Sequence, residues 1–371
     1  MDFDFSGDQQ QLRDAIARWV DKSYGFERRK QIVANGGFDR GVYNELAALG
    51  LTGIYIDSQH GGLGMGPVEA MVVLEELGRG IALEPLAQAF VTSAAIGAHG
   101  GDEVKQTWLP KIASGQALVV LAHQERKARY QLNVCEARAA KTGNGYSVTG
   151  LKNIVPAGDA ADAFIVPAML DGKLALFLVE RAANGVSTRG YLTQDETRAA
   201  DVKLDNAPAT LITTNGLDAL TYAADVGIAC ACAEGVGAME RFLAMTAEYM
   251  NQRKQFGVPI ASFQALRHRV ADMKMQLELA RGMSYYAALK LGAPAAERRQ
   301  ALSRAKVQLG QSMRYAGQQG VQLHGGIGVT DEYAGSHYFK RLTQLEMTWG
   351  DTLHHLGEVS ARMTESAGVF A

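Results

Sequence analysis

The sequence predicts a mainly α-helical protein with a central β domain, and three observations carry that prediction. Apolar residues in the first third recur at three- and four-residue spacing, as at Leu12, Ile16, Trp19 and Val20. Between Leu118 and Ala207 the pattern shortens to β-favouring runs separated by Gly, Asp and Asn turns. Helical periodicity then returns from Leu217 to Ala367, interrupted only by Pro259 and Pro294. The expected segments are a helical domain over 1–116, a β domain over 117–215 and a helical bundle over 216–371. At 371 residues the chain exceeds one ordinary domain.

Amphipathic spacing predicts helices over Gln9–Ser23 and Phe38–Leu49. The glycine-rich run His60–Pro67 reads as a corner needing positive φ; no strand and GK[ST] surround it, so it is not a P-loop. Strands are expected at Val119–Leu121, Tyr146–Val148, Ala163–Val166, Leu174–Val179 and Ala200–Leu204, in a small antiparallel barrel or sandwich. A long helix over about Ala223–Met250 precedes the turn Arg253–Ile260. A second helix starts near Phe263, and the whole segment suggests a four-helix bundle.

A hydrophobic fraction of 47% with 20% charged residues describes a soluble globular protein, and a net charge of −2 argues against nucleic-acid binding. No run of eighteen apolar residues suggests a membrane span, and Met1–Phe5 is acidic where a secretory signal would be basic; a cytoplasmic location is expected. Cys135, Cys230 and Cys232 form neither a disulfide framework nor a zinc pattern, and His354 and His355 lack a third ligand, so no metal is expected.

Three motifs stand in order along the chain: Arg253-Lys254-Gln255-Phe256-Gly257, then Phe263-Gln264-Ala265, then Gln322-Leu323-His324-Gly325-Gly326-Ile327-Gly328. With Glu75-Glu76-Leu77-Gly78, Leu109–Gly115 and Gly150-Leu151-Lys152, they make the chain resemble the acyl-CoA dehydrogenase family, nearest the pimeloyl-CoA dehydrogenase small-subunit type. That resemblance implies a further helix over Pro67–Arg79, and FAD bound between the β domain of one subunit and the helical bundle of another, in a homo- or hetero-oligomer. It also implies α-proton abstraction from an acyl-CoA, β-hydride transfer to the flavin and electron-transfer flavoprotein as acceptor. Carried over by motif, Arg253, Gln255, Phe256 and Gln264 contact FAD, with Gln322, Gly325 and Gly326 near its adenine and pyrophosphate, and His123 and Gln124 in the β-domain loop. An arginine fork suits a pyrophosphate, and glycine lets the backbone approach closely.

The departures from the family pattern bear on chemistry. Trp349 occupies the place of the family's usual catalytic glutamate, and Gly227 the place of its alternative. The usual T-E-P-G-x-G-S and W-I-T-N flavin segments read His123–Arg129 and Asn153–Gly158 here. Two carboxylates remain as candidate bases: Asp351, which also suits a helix N-cap, and Glu234, for which Arg241 is a plausible ion-pair partner. Arg126, Lys127 and Arg129 could meet an anionic substrate but read more simply as surface charge. Alternatives to a self-sufficient dehydrogenase are a non-catalytic partner subunit of a heteromeric enzyme and a flavin oxidase or monooxygenase on the same fold.

Overall fold

The computed structural model describes residues 5–143 and 145–363. Six helices come first: α1 (Gly7–Ser23), α2 (Phe26–Ala34), α3 (Arg40–Ala48), α4 (Pro67–Arg79), α5 (Leu86–His99) and α6 (Asp102–Ala113). Seven strands follow: β1 (Val119–Leu121), β2 (Arg138–Thr142), β3 (Gly145–Pro156), β4 (Ala163–Leu170), β5 (Lys173–Glu180), β6 (Val186–Leu192) and β7 (Arg198–Thr213). Then come α7 (Gly216–Gln252), a short hairpin of β8 (Lys254–Gln255) and β9 (Val258–Pro259), α8 (Gln264–Lys290), α9 (Ala295–His324), α10 (Ala334–Met347) and α11 (Thr352–Met363). The order is helices, strands, helices, the acyl-CoA dehydrogenase-like arrangement expected from the sequence.

Local signals explain most boundaries. Ser6 and Gln9 form a reciprocal capping box at the start of α1, with Gln9 N to Ser6 Oγ at 3.2 Å and Ser6 N to Gln9 Oε1 at 3.0 Å. Asp39 caps α3 through the Gly41 amide at 2.7 Å, and Pro67 opens α4 where its missing N–H is harmless. Periodicity marks no helix at α5, because that helix is buried along nearly its whole length and so lacks a polar face.

The chain divides into two compact units, each gathered from separate stretches. One gathers the described residues of Met1–Arg29, Pro67–Ala82 and Ile228–Ala371, the other Lys30–Gly66 and Leu83–Gly227. Within the second unit the strands pair in a closed ring, β4-β2-β3-β7-β5 and back to β4, with β1 added on β4 and β6 on β7. The sequence suggested an antiparallel sheet; β1 and β2 instead run parallel to β4. Val120, Phe164, Val166, Phe177, Val179, Val202 and Leu204 fill its core.

In the first unit α9 packs against α8, α10 and α11. α4 and α7 cross with backbone against backbone: a Cβ on Gly78 would lie 2.1 Å from the Glu234 carbonyl oxygen, and one on Gly237 1.7 Å from that of Glu75. Only glycine fits both places. α7 is the one described helix long and apolar enough to cross a membrane, and its most apolar window is 83% buried within the protein, as a core helix would be.

Candidate functional site

Tyr249 and Met250 end α7 against Ile260, Met273 and Leu323, so one apolar cluster ties the hairpin, the start of α8 and the end of α9 together. The segment Arg253–Pro259, read from sequence as a plain turn between helices, is a two-stranded hairpin. Its two central residues, Phe256 (φ 54°) and Gly257 (φ 82°), are both left-handed, the geometry of a tight two-residue hairpin turn. A bulky residue at positive φ is strained and persists where function or surroundings demand it. Phe256 is also 90% exposed, edge-on to Phe263 at 6.0 Å.

Around this end stand Gln255, Gln264, Gln322, Gly325 and Gly326, all exposed. Arg253 is exposed too and makes no ion pair among the described residues. Gly325 adopts φ 65°, ψ −142°, open essentially to glycine alone, and a Cβ on Gly326 would meet nothing within 4 Å. Beneath them His324, 3% exposed, faces the Gly320 carbonyl through Nδ1 at 2.7 Å and the Tyr333 hydroxyl through Nε2 at 2.8 Å. Since a carbonyl can only accept, Nδ1 carries the proton and Nε2 receives Tyr333 O–H. An unpaired guanidinium, amide side chains and a side-chain-free turn form a donor set suited to a pyrophosphate and a planar base, so the residues fit FAD.

His123 and Gln124 belong to the other unit, just after β1, and help line a small recess with Arg129, Cys135, Pro167 and Leu220. Burial, with the nearby Lys152 charge, pushes the His123 pKa down to about 4. The next residue, Glu125, forms a buried ion pair with Lys152 at 2.5 Å and accepts the amides of Glu136 and Ala137 at 2.5 and 3.1 Å. Lys152 also reaches the Pro167 carbonyl at 2.8 Å and is wholly buried. Lys127 pairs with Glu136 at the surface, and Arg129 covers the Tyr130 ring at 5.2 Å, as surface charge does.

The turn between α10 and α11 carries Trp349 at φ 63° and Gly350 at φ 112°. Buried side chains hold it from several sides. Lys306 donates to the carbonyls of Leu345 and Glu346 at 3.0 and 2.7 Å, and His355 Nε2 donates to that of Trp349 at 3.0 Å. The Glu346 carboxylate accepts the Thr352 amide at 3.0 Å and its hydroxyl at 2.6 Å, with Arg314 beside it at 3.2 Å. Burial pushes Lys306 down to about 8 and His355 down to about 3. Nothing in the local sequence around Lys306 marks it as the cap of a helix forty residues away. Among the described residues no three His, Cys, Asp or Glu side chains are grouped to hold a metal.

Of the two candidate bases, Asp351 Oδ1 accepts the His354 amide at 2.8 Å, the position of a cap for α11. Glu234 is 7% exposed and paired, but with Arg341 of α10 rather than Arg241: Arg341 Nη2 lies at 2.5 Å and Nε at 2.7 Å. Arg241, two turns further along α7, is exposed and lies outside this pair. Removing one partner of such a buried pair costs about 3–5 kcal/mol, which makes Glu234 structural before it is catalytic.

Two imidazoles, the buried His355 and the half-buried His123, give an acid-sensitive fold. Their folded-state pKa values lie below the ordinary 6.5, at about 3 for His355 and about 4 for His123, so the unfolded chain takes up the protons first. The stability of the neutral forms is therefore complete above pH 6.5 and is lost as pH falls toward those values, by up to about 1.4 kcal/mol per pH unit per group. His355 faces Lys306, Arg299, His354 and the Trp349 carbonyl, and the neighbouring cations add to the penalty. Urea midpoints at pH 7.5 and 5 should differ by an amount equivalent to about 2 kcal/mol or more, and His355→Gln should flatten the profile.

The sequence profile of the acyl-CoA dehydrogenase N-terminal domain matches residues 6–116, and that of the acyl-CoA dehydrogenase C-terminal domain residues 214–364. Acyl-CoA dehydrogenase FadE27 of Mycobacterium tuberculosis is 28% identical over 99% of this chain and 100% of its own length. The mitochondrial short/branched chain specific acyl-CoA dehydrogenase of Bos taurus is 30% identical, covering 81% of this chain and 73% of its own. Among solved structures, the ChsE4-ChsE5 complex from Mycobacterium tuberculosis superposes with a TM-score of 0.88 at 26% identity, covering 98% of this chain and 99% of that one.

Proposed function

The chain belongs to the acyl-CoA dehydrogenase family, and from that membership and the residues described above we infer that it works in the FAD-dependent α,β-dehydrogenation of an acyl-CoA thioester. The bound flavin supplies the hydride acceptor. The chain's own contribution is the exposed end of its helical bundle, where Arg253, Gln255, Phe256, Gln264, Gln322, Gly325 and Gly326 would hold the dinucleotide, and His123 and Gln124 in the β domain. The observation that carries this reading is Arg253, without an ion pair among the described residues, beside a strained hairpin and a turn only glycine can make. Deprotonating an α-carbon requires that the enolate charge be stabilised as it forms, together with a carboxylate within reach.

A second reading concerns who supplies that carboxylate. Trp349 stands where the family places its base, Asp351 caps a helix and Glu234 is held by Arg341. These facts favour a subunit of a hetero-oligomer in which a larger paralogue brings the base, and the superposition on one chain of the ChsE4-ChsE5 complex supports the same view. Within the family we place the chain nearest the pimeloyl-CoA dehydrogenase small-subunit type, in the cytoplasm, with electron-transfer flavoprotein as acceptor.

The visible spectrum of the chain expressed alone, followed by anaerobic titration with a panel of acyl-CoAs, tests both readings. The partner reading expects pale protein, or flavin that no acyl-CoA bleaches, until a larger paralogue is co-expressed. Bleaching by the chain alone rules that reading out and returns Asp351 and Glu234 to the front.

A further inference from the structure

The pairing of β3 with β7 is broken at one place. Lys152 faces Val202 and Val155 faces Ala200, so Asn153 and Ile154 together oppose the single residue Asp201. This is a β-bulge, and its second residue, Ile154, sits at φ 52°. A β-branched residue in the left-handed region is a genuine outlier that persists only where its surroundings over-determine it. Glycine or asparagine would make the same bulge without strain.

Four side chains impose the conformation. The Ile154 amide donates to the Tyr191 hydroxyl at 3.2 Å, and that hydroxyl donates to Asp201 Oδ1 at 3.2 Å. Asp201 Oδ1 also accepts the Asn153 side-chain amide at 3.1 Å, while Oδ2 accepts Arg189 at 3.0 Å. The bulge is joined to the loop after β1, since the Asn153 amide donates to the Gln124 carbonyl at 2.8 Å. One residue earlier, Lys152 is locked to Glu125. Ile154 is left 46% exposed, one residue after the Asn153 amide that binds the Gln124 carbonyl. Strained backbone, a dedicated hydrogen-bond chain and an exposed apolar side chain coincide at one point.

We propose that Tyr191 and Asp201 are positioning residues that lock this bulge, so that Ile154 is presented as part of the surface against which the flavin ring rests. The proposal builds on the FAD reading given above for the His123–Gln124 loop. Tyr191 acts through Ile154; it is Ile154 that meets the cofactor. In a purely structural bulge the strain at Ile154 would be a burden without return, and a residue that tolerates positive φ would relieve it.

The lock is tested with Tyr191→Phe, Ile154→Gly and the double variant, in the full chain purified in its native assembly. Urea midpoints report the lock, and FAD affinity with the visible circular dichroism of the bound flavin reports the ring surface. Tyr191→Phe removes the acceptor for the Ile154 amide and is expected to weaken FAD binding about five-fold, as loss of one hydrogen bond does. It should also lower the urea midpoint and alter the flavin dichroism. In the Ile154→Gly background, where positive φ needs no enforcement, the same change should have little further effect on either readout. Additive effects overturn the lock. Coupled stability effects with unchanged FAD affinity in all three variants, while wild type binds FAD, overturn the placement of Ile154 at the flavin and leave the cofactor reading standing. A wild-type assembly that binds no FAD overturns both.

Discussion

Trp349→Glu is expected to give the chain an α-proton base of its own. The turn that carries residue 349 is already rigid: Lys306 and His355 hold its carbonyls, and Glu346 holds Thr352 on the far side. A glutamate placed there inherits that immobility, and the backbone at φ 63° is no harder for Glu than for Trp. A positioned general base is worth roughly 100- to 10,000-fold in rate. Anaerobic bleaching of bound flavin by an acyl-CoA should therefore become at least about 100-fold faster than in the unchanged chain. The measurement is a stopped-flow trace at the flavin absorption maximum. Folded, flavin-loaded Trp349→Glu that bleaches no faster than wild type would remove residue 349 from the base position.

Arg253→Ala is the second large effect. Its guanidinium is exposed and has no carboxylate partner among the described residues, so the substitution leaves no described charge stranded and the fold should be unaffected. A charge-assisted, two-pronged contact to phosphate is worth about 1.5–3 kcal/mol, which corresponds to roughly 10- to 100-fold weaker FAD binding. Fluorescence titration of flavin-stripped protein measures it. Flavin affinity equal to wild type would detach Arg253 from the cofactor.

The layout of helices, strands and helices is legible because periodicity changes where the structure changes. Val119–Leu121, Ala163–Val166 and Leu174–Val179 each fall within β1, β4 and β5, while Pro67–Arg79, implied by the family resemblance and not by periodicity, is α4 residue for residue. α5 is not legible in the same way, since a helix buried along most of its length shows no exposed polar stripe. Parallel pairing of β1 with β4 is invisible too, because a strand's residues do not state the direction of its neighbour. At the candidate site, motifs point to Arg253 and Gln322, but Phe256 at positive φ breaks the propensity rule that would reveal a hairpin there. Partners distant in sequence are hidden for a simpler reason. The eye pairs Glu234 with Arg241 nearby, whereas the fold delivers Arg341, 107 residues on. Lys306 and the Tyr191–Asp201 pair look like ordinary polar residues until three dimensions bring their acceptors to them.

The bare-backbone crossing of α4 and α7 shapes how this chain can diverge. With Gly78 pressed on the Glu234 carbonyl and Gly237 on that of Glu75, neither position admits even a methyl group. Descendants can vary the pocket and exchange whole surfaces while these two glycines stay fixed. The carboxylate of Glu234 is thereby anchored to main chain that no repacking can relax. A lineage wishing to recruit it for new chemistry must first change its partner Arg341, and the order in which such substitutions become available is written into the crossing.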